Sequence, residues 1–240
     1  MKFRDMAIII DQQKFSENGL IITLFSQNYG LLSAIINNGR KAKISHNCQI
    51  ANLVEFEYYN KNSDGLGKII MIESIISYSN ILFFSQHLFN LILSSFNIIK
   101  NSFQEREVMS DFFNYFIDFI EFLFQKPDKK TAIAKYIKLE LKILQYLGFG
   151  LDLSRCAVSN NNDLAFISPK TGKAVSKEVG EPFMNKLFLL PKFLHCDNSE
   201  PQGDEIRYSL TISHHFFSKF IFNHNNINIS RLRRFNIDDY

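Results

Sequence analysis

The period of the hydrophobic pattern changes near residue 80, and that change limits the chain to a β-rich first part followed by a helical remainder. Before it lie five short apolar runs: MAIII from residue 6, LIITLF from 20, LLSAII from 31, LVEFEYY from 53 and KIIMIESI from 68. Turn chemistry separates them, at Asn18-Gly19, Asn28-Tyr29-Gly30, the stretch 37–47 and Ser63-Asp64-Gly65. In LVEFEYY, Val54, Phe56 and Tyr58 alternate with Glu55, Glu57 and Tyr59, the period of a half-buried strand. Five antiparallel strands leave exposed edges unless they close on themselves, so an OB-like barrel is expected, with an SH3-like barrel as the other option.

Beyond the change the apolar spacing is helical. A first helix is predicted from Ile81 to about Phe103, and a second from Glu105 to Gln125, where Lys126-Pro127 breaks it. A third opens at Asp128, carries Ile133, Tyr136, Ile137, Leu141, Leu144 and Leu147 at helical spacing, and ends at Gly148. Residues 149–177 read as a hairpin insertion: a short strand LAFIS, the turn Pro169-Lys170-Thr171-Gly172, and a second short run KAVS. Helices resume after a polar stretch from His195 to Glu205 and end in the basic turn ISRLRRF. The expected class is α+β: an N-terminal OB-fold barrel over residues 1–79, then an α-helical bundle domain over 80–240 carrying the β-hairpin insertion.

Composition excludes several alternatives. With 46% hydrophobic residues, 10 Gly and 5 Pro, the chain is far from disordered or collagen-like sequences. Phe is abundant at 25 and Trp absent, which reads as a genomic bias before it reads as function. Cys48, Cys156 and Cys196 are scattered without a CxxC pair, which points to a reducing, cytoplasmic setting. The stretch from Ile81 to Ile99 carries no formal charge, but its seven Ser, Gln, His and Asn residues suit a packed helix better than a membrane span. The apolar start ends early at Asp11, so no signal peptide is expected.

Catalytic signatures are missing from the sequence: it has no HExxH, Walker loop, GxGxxG or GxSxG. His214-His215 and His195-Cys196 read as surface or helix-packing residues, and neither an enzymatic activity nor a metal or other cofactor is expected. A net charge of +3 is too small to name a polyanion partner, so the argument turns on where the charge sits. The loop Gly39-Arg40-Lys41-Ala42-Lys43 holds three cations and no acid, whereas residues 1–75 carry eight basic and seven acidic residues. Beside a barrel, Arg40, Lys41 and Lys43 can track phosphates while Tyr29, Phe56, Tyr58 or Tyr59 stack bases. Equally, the loop can be a solubilising surface and the aromatics barrel filling. Arg231, Arg233 and Arg234 form a second basic cluster, with helix-dipole compensation as its structural alternative. Lys135, Lys138 and Lys142 share one face of the third helix, either as a solvated face or as a basic rim beside an apolar groove. A groove of that kind holds a short acidic peptide that ends in a hydrophobic residue.

The run over residues 140–194 resembles the recombination mediator family RecO, especially its alphaproteobacterial branch. The segments that carry the likeness are Leu147-Gly148-Phe149-Gly150-Leu151-Asp152-Leu153, Arg155-Cys156-Ala157 and Ser168-Pro169-Lys170-Thr171-Gly172-Lys173-Ala174-Val175. Arg4-Asp5, Glu17-Asn18, Tyr29-Gly30 and the Gly39-Arg40 loop add to it at the N-terminal end. The resemblance implies a non-enzymatic DNA-repair protein of the RecF pathway, cytoplasmic and nucleoid-associated. Such a protein binds single- and double-stranded DNA, anneals complementary strands, and contacts the C-terminal tail of single-stranded-DNA-binding protein. It also joins RecR to help load RecA. A general OB-fold DNA-binding or adaptor protein without mediator activity is the alternative.

By the same resemblance Arg40, Lys41 and Lys43 match the family's DNA-contacting loop. Tyr58 and the cluster Arg231, Arg233 and Arg234 are carried as further DNA-binding candidates. Lys138 falls near the family's tail-binding groove, with Lys135 and Lys142 as its helical neighbours. Many relatives hold a four-cysteine zinc site in the hairpin. Here Cys156 is followed by Ser159 at the paired position and the run from Ser168 to Ser176 has no cysteine, so the finger-like hairpin is expected to stand without zinc, on packing of Leu164, Phe166 and Val175.

Overall fold

A computed structural model describes residues 1–61, 65–196, 199–223 and 227–236, with the side chains of Ala42, Lys43 and Leu82 left aside. The chain separates into two compact units, residues 1–126 and 127–240.

The first unit is built on a closed barrel of β1 (Lys2–Lys14), β2 (Leu20–Ser26), β3 (Gly30–Ile36), β4 (Asn52–Tyr59) and β5 (Gly67–Ser77). Its strand order β1-β2-β3-β5-β4, closed by antiparallel pairing of β1 with β4, is that of an OB fold. The β3–β5 pair is parallel and short, only Ala34↔Gly67 and Ile35↔Lys68. Alternation fills the interior: Ala7, Ile9, Ile22, Leu24, Val54, Phe56 and Tyr58 form one core cluster. Within the 37–47 stretch the chain makes a one-turn helix, α1 (Ala42–Ser45).

The first two of the three predicted helices start later than expected. The first is α2 (Gln86–Ser102), because Ser85 caps it by accepting the Leu88 N–H at 3.2 Å, and a 3₁₀ turn occupies Tyr78–Phe83. The second is α3 (Ser110–Phe124): Glu105 forms a parallel bridge with Leu31, and Arg106 takes a left-handed φ of 62°, so the chain is extended there instead of helical. Gly30 makes this docking possible, since a Cβ at its φ of +64° would stand 2.0 Å from the Glu107 carbonyl oxygen. Phe25 on the outer side of β2 packs among Phe103, Phe112, Phe113 and Phe116, with ring centroids 5.5–6.5 Å apart. That aromatic cluster places α2 and α3 in the barrel's unit, although the sequence pattern divides at residue 79.

The second unit contains α4 (Lys129–Tyr146), capped by Asp128 and followed by Gly148 at φ +85°. The hairpin β6 (Leu164–Ile167) and β7 (Ala174–Ser176) leads into the short α5 (Lys177–Gly180) and gains a third strand, β8 (Phe188–Leu189), on β6. Two helices follow, α6 (Glu205–Phe217), extended by a π turn over Ser218–Phe222, and α7 (Ile229–Leu232). No helix among the described residues is long and apolar enough to cross a membrane.

Candidate nucleic-acid and peptide interfaces

The basic loop stands beside the turn that joins β1 to β2. The Arg40 backbone N–H donates to the Asn18 carbonyl at 3.1 Å, and Arg40 Nη1 donates to the Glu17 carbonyl at 2.5 Å, leaving both side chains Arg40 and Lys41 exposed. Here a cavity of about 440 Å³ opens between the end of β1 and the loop, lined by Gln12, Gln13, Lys14, Arg40, Ser45 and Gln49 among others. Among the described residues its lining has two cations and no acid. Asp11, on the same strand, is neutralised by an ion pair with Lys100. Arg40, fixed by backbone bonds, and Lys14, with amide and hydroxyl groups between them, can take successive phosphates of a nucleic-acid strand. The Lys43 side chain lies outside the described residues. Lys14, Gln12, Gln13 and Gln49 carry no local sequence signal, because they meet Arg40 only in the folded chain.

Tyr58 requires a correction. Its ring is 1% exposed, stacked on Phe3 with centroids 4.9 Å apart. The absence of a side chain at Gly67 makes its room, since a Cβ there would stand 2.1 Å from the ring. No face is left to receive a base. Phe56 is likewise buried, and Tyr29 is stacked on Phe3 at 3.7 Å. Tyr59 is exposed, but it shares its face of β4 with Glu55 and Glu57. A second cavity of about 570 Å³ is lined by both Glu105 and Arg106, a mixture of charge that does not suit a polyanion.

In the second unit, α4 and the chain after it enclose a cavity of about 260 Å³. Leu141, Leu151, Leu153 and Leu194 supply an apolar lining, and Lys138, Lys142 and Gln145 a polar one. The Phe149 N–H donates to the Leu144 carbonyl at 2.8 Å, and Gly150 lies so close to Gln145 that a Cβ would stand 3.0 Å from its Cα. This tight return places the two leucines beside the helix. Lys142 Nζ donates to Gln145 Oε1 at 3.0 Å. Lys135, further back on α4, is not among the lining residues.

The C-terminal cluster divides. Arg231 and Arg234 are exposed, whereas Arg233 is buried against Glu140. Burial opposes the charge of Arg233, but the carboxylate beside it holds the guanidinium above its ordinary pKa. Its assignment as a DNA contact is therefore withdrawn: the group is occupied inside the protein.

In the hairpin, Cys156 Sγ accepts the Ser159 N–H at 3.5 Å and Ser159 Oγ lies 3.2 Å from Ser176 Oγ. Desolvation pushes the thiol up, but bonds from Ser159 and Ser176 outweigh it and bring it down to about 6. One sulfur with two hydroxyls does not fit a structural zinc, which takes four thiolate or imidazole donors. Among the described residues no three His, Cys, Asp or Glu gather as a metal site. The hairpin rests instead on a cluster of Cys156, Phe166 and Val175 with Leu164 against it. Lys219 Nζ also donates to the Pro169 and Lys170 carbonyls at 2.9 Å, tying the turn to the end of α6.

Residues 1–78 match the family model described as recombination protein O N terminal, and residues 92–210 match recombination protein O C terminal. The chain is 38% identical over 231 residues to the DNA repair protein RecO of Rickettsia canadensis, covering 94% of this chain and 91% of that one. It is 36% identical to that of Rickettsia felis, with 94% and 93% covered, and 34% identical to that of Rickettsia conorii, with 98% and 97% covered.

Proposed function

Because this chain belongs to the RecO family of DNA repair proteins, we propose that it acts in recombinational repair as a binding protein that bridges DNA and coated single strands without bond chemistry. The barrel end at Arg40, Lys41 and Lys14 grips phosphates of single- and double-stranded DNA. Arg231 and Arg234 are further cationic candidates for phosphate on the second unit, taken by itself. The cavity on α4, with Lys138 and Lys142 beside leucines, takes the acidic, apolar-ended tail of single-stranded-DNA-binding protein. Docking of that tail makes the DNA contact locally intramolecular, so two modest affinities suffice and a net charge of +3 is enough. Strand annealing follows from holding two strands close under cationic screening, and association with RecR supports RecA loading.

The observation that carries this reading is the lining that joins Arg40 to Lys14 at one end of an OB barrel, without an acid among the described residues. It is tested by fluorescence anisotropy of a labelled oligonucleotide and a labelled acidic tail peptide across a salt series. Reversing Arg40 and Lys41 to Glu strongly weakens oligonucleotide binding and leaves the peptide bound; reversing Lys138 and Lys142 does the opposite. Removing two phosphate contacts lowers the salt slope by about 1.4 on single strands. Salt-independent binding, or equal loss of both activities in both variants, refutes the division of labour.

A further inference from the structure

The buried rings of Phe56 and Tyr58 leave the cationic cavity without the aromatic partner that single-strand binding uses, and the exposed ring next to its lining along the chain is Phe15. It occupies the β1–β2 turn, between the cavity-lining residues Lys14 and Leu20, with 53% of its surface exposed. Turn positions favour Gly, Asn, Asp and Ser for backbone reasons, and a large apolar ring there gains nothing for the turn itself. The ring is also presented on a stiff support. The Phe15 and Ser16 N–H groups donate to the Gly19 carbonyl at 3.1 and 3.4 Å, and the Gly19 N–H donates to Ser16 Oγ at 3.0 Å. The two bonds from Arg40 to Glu17 and Asn18 fasten the same turn to the basic loop. The turn that carries Phe15 and the loop that carries Arg40 are thus held together before any ligand arrives, which reduces the ordering cost of binding.

We infer that Phe15, the turn residue that follows Lys14 of the Lys14–Arg40 cavity, is a base-stacking platform, which makes this end of the barrel selective for unpaired strands. A base offers its π face to a protein ring when it is not stacked within a duplex, and extruding it from one sacrifices its pairing and stacking. Arg40, Lys41 and Lys14 take phosphates from either kind of strand, whereas the ring adds affinity for bases of single strands alone. The inference rests on the cavity being a DNA path, as proposed above. Tyr59 is a poorer candidate for the role, because Glu73 faces Glu55 on the outer side of β4 and β5 and repels phosphate.

The test uses the full-length protein and three labelled probes of one length: oligo(dT), the same backbone without bases, and a duplex. Phe15→Ala should weaken oligo(dT) binding by about five- to a hundredfold, change the other two by less than about twofold, and leave the salt slope unaltered. Phe15→Tyr keeps a π face and should restore oligo(dT) binding, which separates stacking from any disturbance of the turn. Unchanged oligo(dT) binding by Phe15→Ala, or equal loss on all three probes, overturns the inference. The Arg40 and Lys41 reversal should weaken all three probes; if it weakens none, the cavity reading fails whatever Phe15 does.

Discussion

Arg233, just past α7, donates from Nε and Nη2 to the two carboxylate oxygens of Glu140 on α4, at 2.9 and 2.6 Å, with both side chains shut off from solvent. Ser213 of α6 completes the arrangement, donating from Oγ to Glu140 at 2.6 Å and accepting from Arg233 Nη2 at 2.8 Å. The C-terminal segment is thereby fixed to two helices by one guanidinium.

Truncating one partner strands the other as a buried charge. Arg233→Ala should destabilise the second unit by about 3–5 kcal/mol, while Arg231→Ala on the exposed side should stay within about 0.5 kcal/mol. Replacing both members, Arg233→Met with Glu140→Leu, should recover most of the loss, because desolvation of a buried pair nearly cancels its attraction. Urea unfolding of the four proteins decides it; equal stability of Arg233→Ala and Arg231→Ala would contradict the arrangement.

Gly30→Ala tests the docking of the 103–109 segment on the barrel. A methyl group at φ +64° and 2.0 Å from the Glu107 carbonyl oxygen forces a backbone to move. The cost should exceed about 2 kcal/mol, the sum of left-handed strain and overpacking. Gly65→Ala, also at positive φ but with open space around it, should cost less, about 1 kcal/mol. Thermal unfolding compares the two; the same loss in both variants would mean that the close approach to Glu107 is unimportant.

On the outer surface Glu55 of β4 and Glu73 of β5 are register partners, both exposed. Like charges directly opposite on neighbouring strands repel. Glu73→Lys should therefore stabilise the barrel by about 0.2–1 kcal/mol at low ionic strength, and salt should shrink the gain. A destabilised or salt-indifferent variant would refute the repulsion.

Which parts of this were legible follows from whether the signal was local. The charge cluster at Arg40 and Lys41 could be read because a loop with three cations and no acid announces itself without its neighbours, and its use as a DNA contact remains the proposal made above. Burial of Tyr58 was readable too, since the same alternation that puts Val54 and Phe56 inside puts Tyr58 inside with them. Glu140 carried a signal in its position: it follows Ile133, Tyr136 and Ile137 along the apolar stripe of α4, where a carboxylate requires a buried cation. Its partner lies 93 residues away, and no spacing rule reaches that far. The late start of α3 depends on the bridge from Glu105 to Leu31, a pairing created by the barrel and invisible to helical periodicity.

Acid should weaken the first unit through Glu57. Hydrogen bonds from Lys2 and Arg4, at 2.6 and 3.0 Å, hold its carboxyl below the ordinary value of 4.5. A depressed pKa in the folded state means the stabilisation is complete above that value and is lost as the pH falls through the lowered one. The urea midpoint should decline below about pH 4.5, and Glu57→Gln should decline less over the same window. Parallel curves for the two proteins would show that the Lys2–Glu57–Arg4 bridge contributes nothing.

Zinc should leave the hairpin unaffected. Ligand that binds the folded state alone raises its melting temperature by mass action, so a metal-held finger is stabilised by zinc and unravelled by a chelator. Here Cys156 is already bonded to Ser159, and Ser159 lies 3.2 Å from Ser176, which leaves one sulfur where four donors are required. Melting curves with equimolar zinc and with excess EDTA should superimpose on the untreated protein. Ser159→Ala gives the complementary readout: without the hydroxyl beside Cys156 the thiol should titrate above its value of about 6, followed by thiolate absorbance in the ultraviolet on the Cys48→Ala, Cys196→Ala background. A shift of the melting curve with zinc, or a thiol that titrates unchanged in Ser159→Ala, would overturn the account of how the hairpin is held.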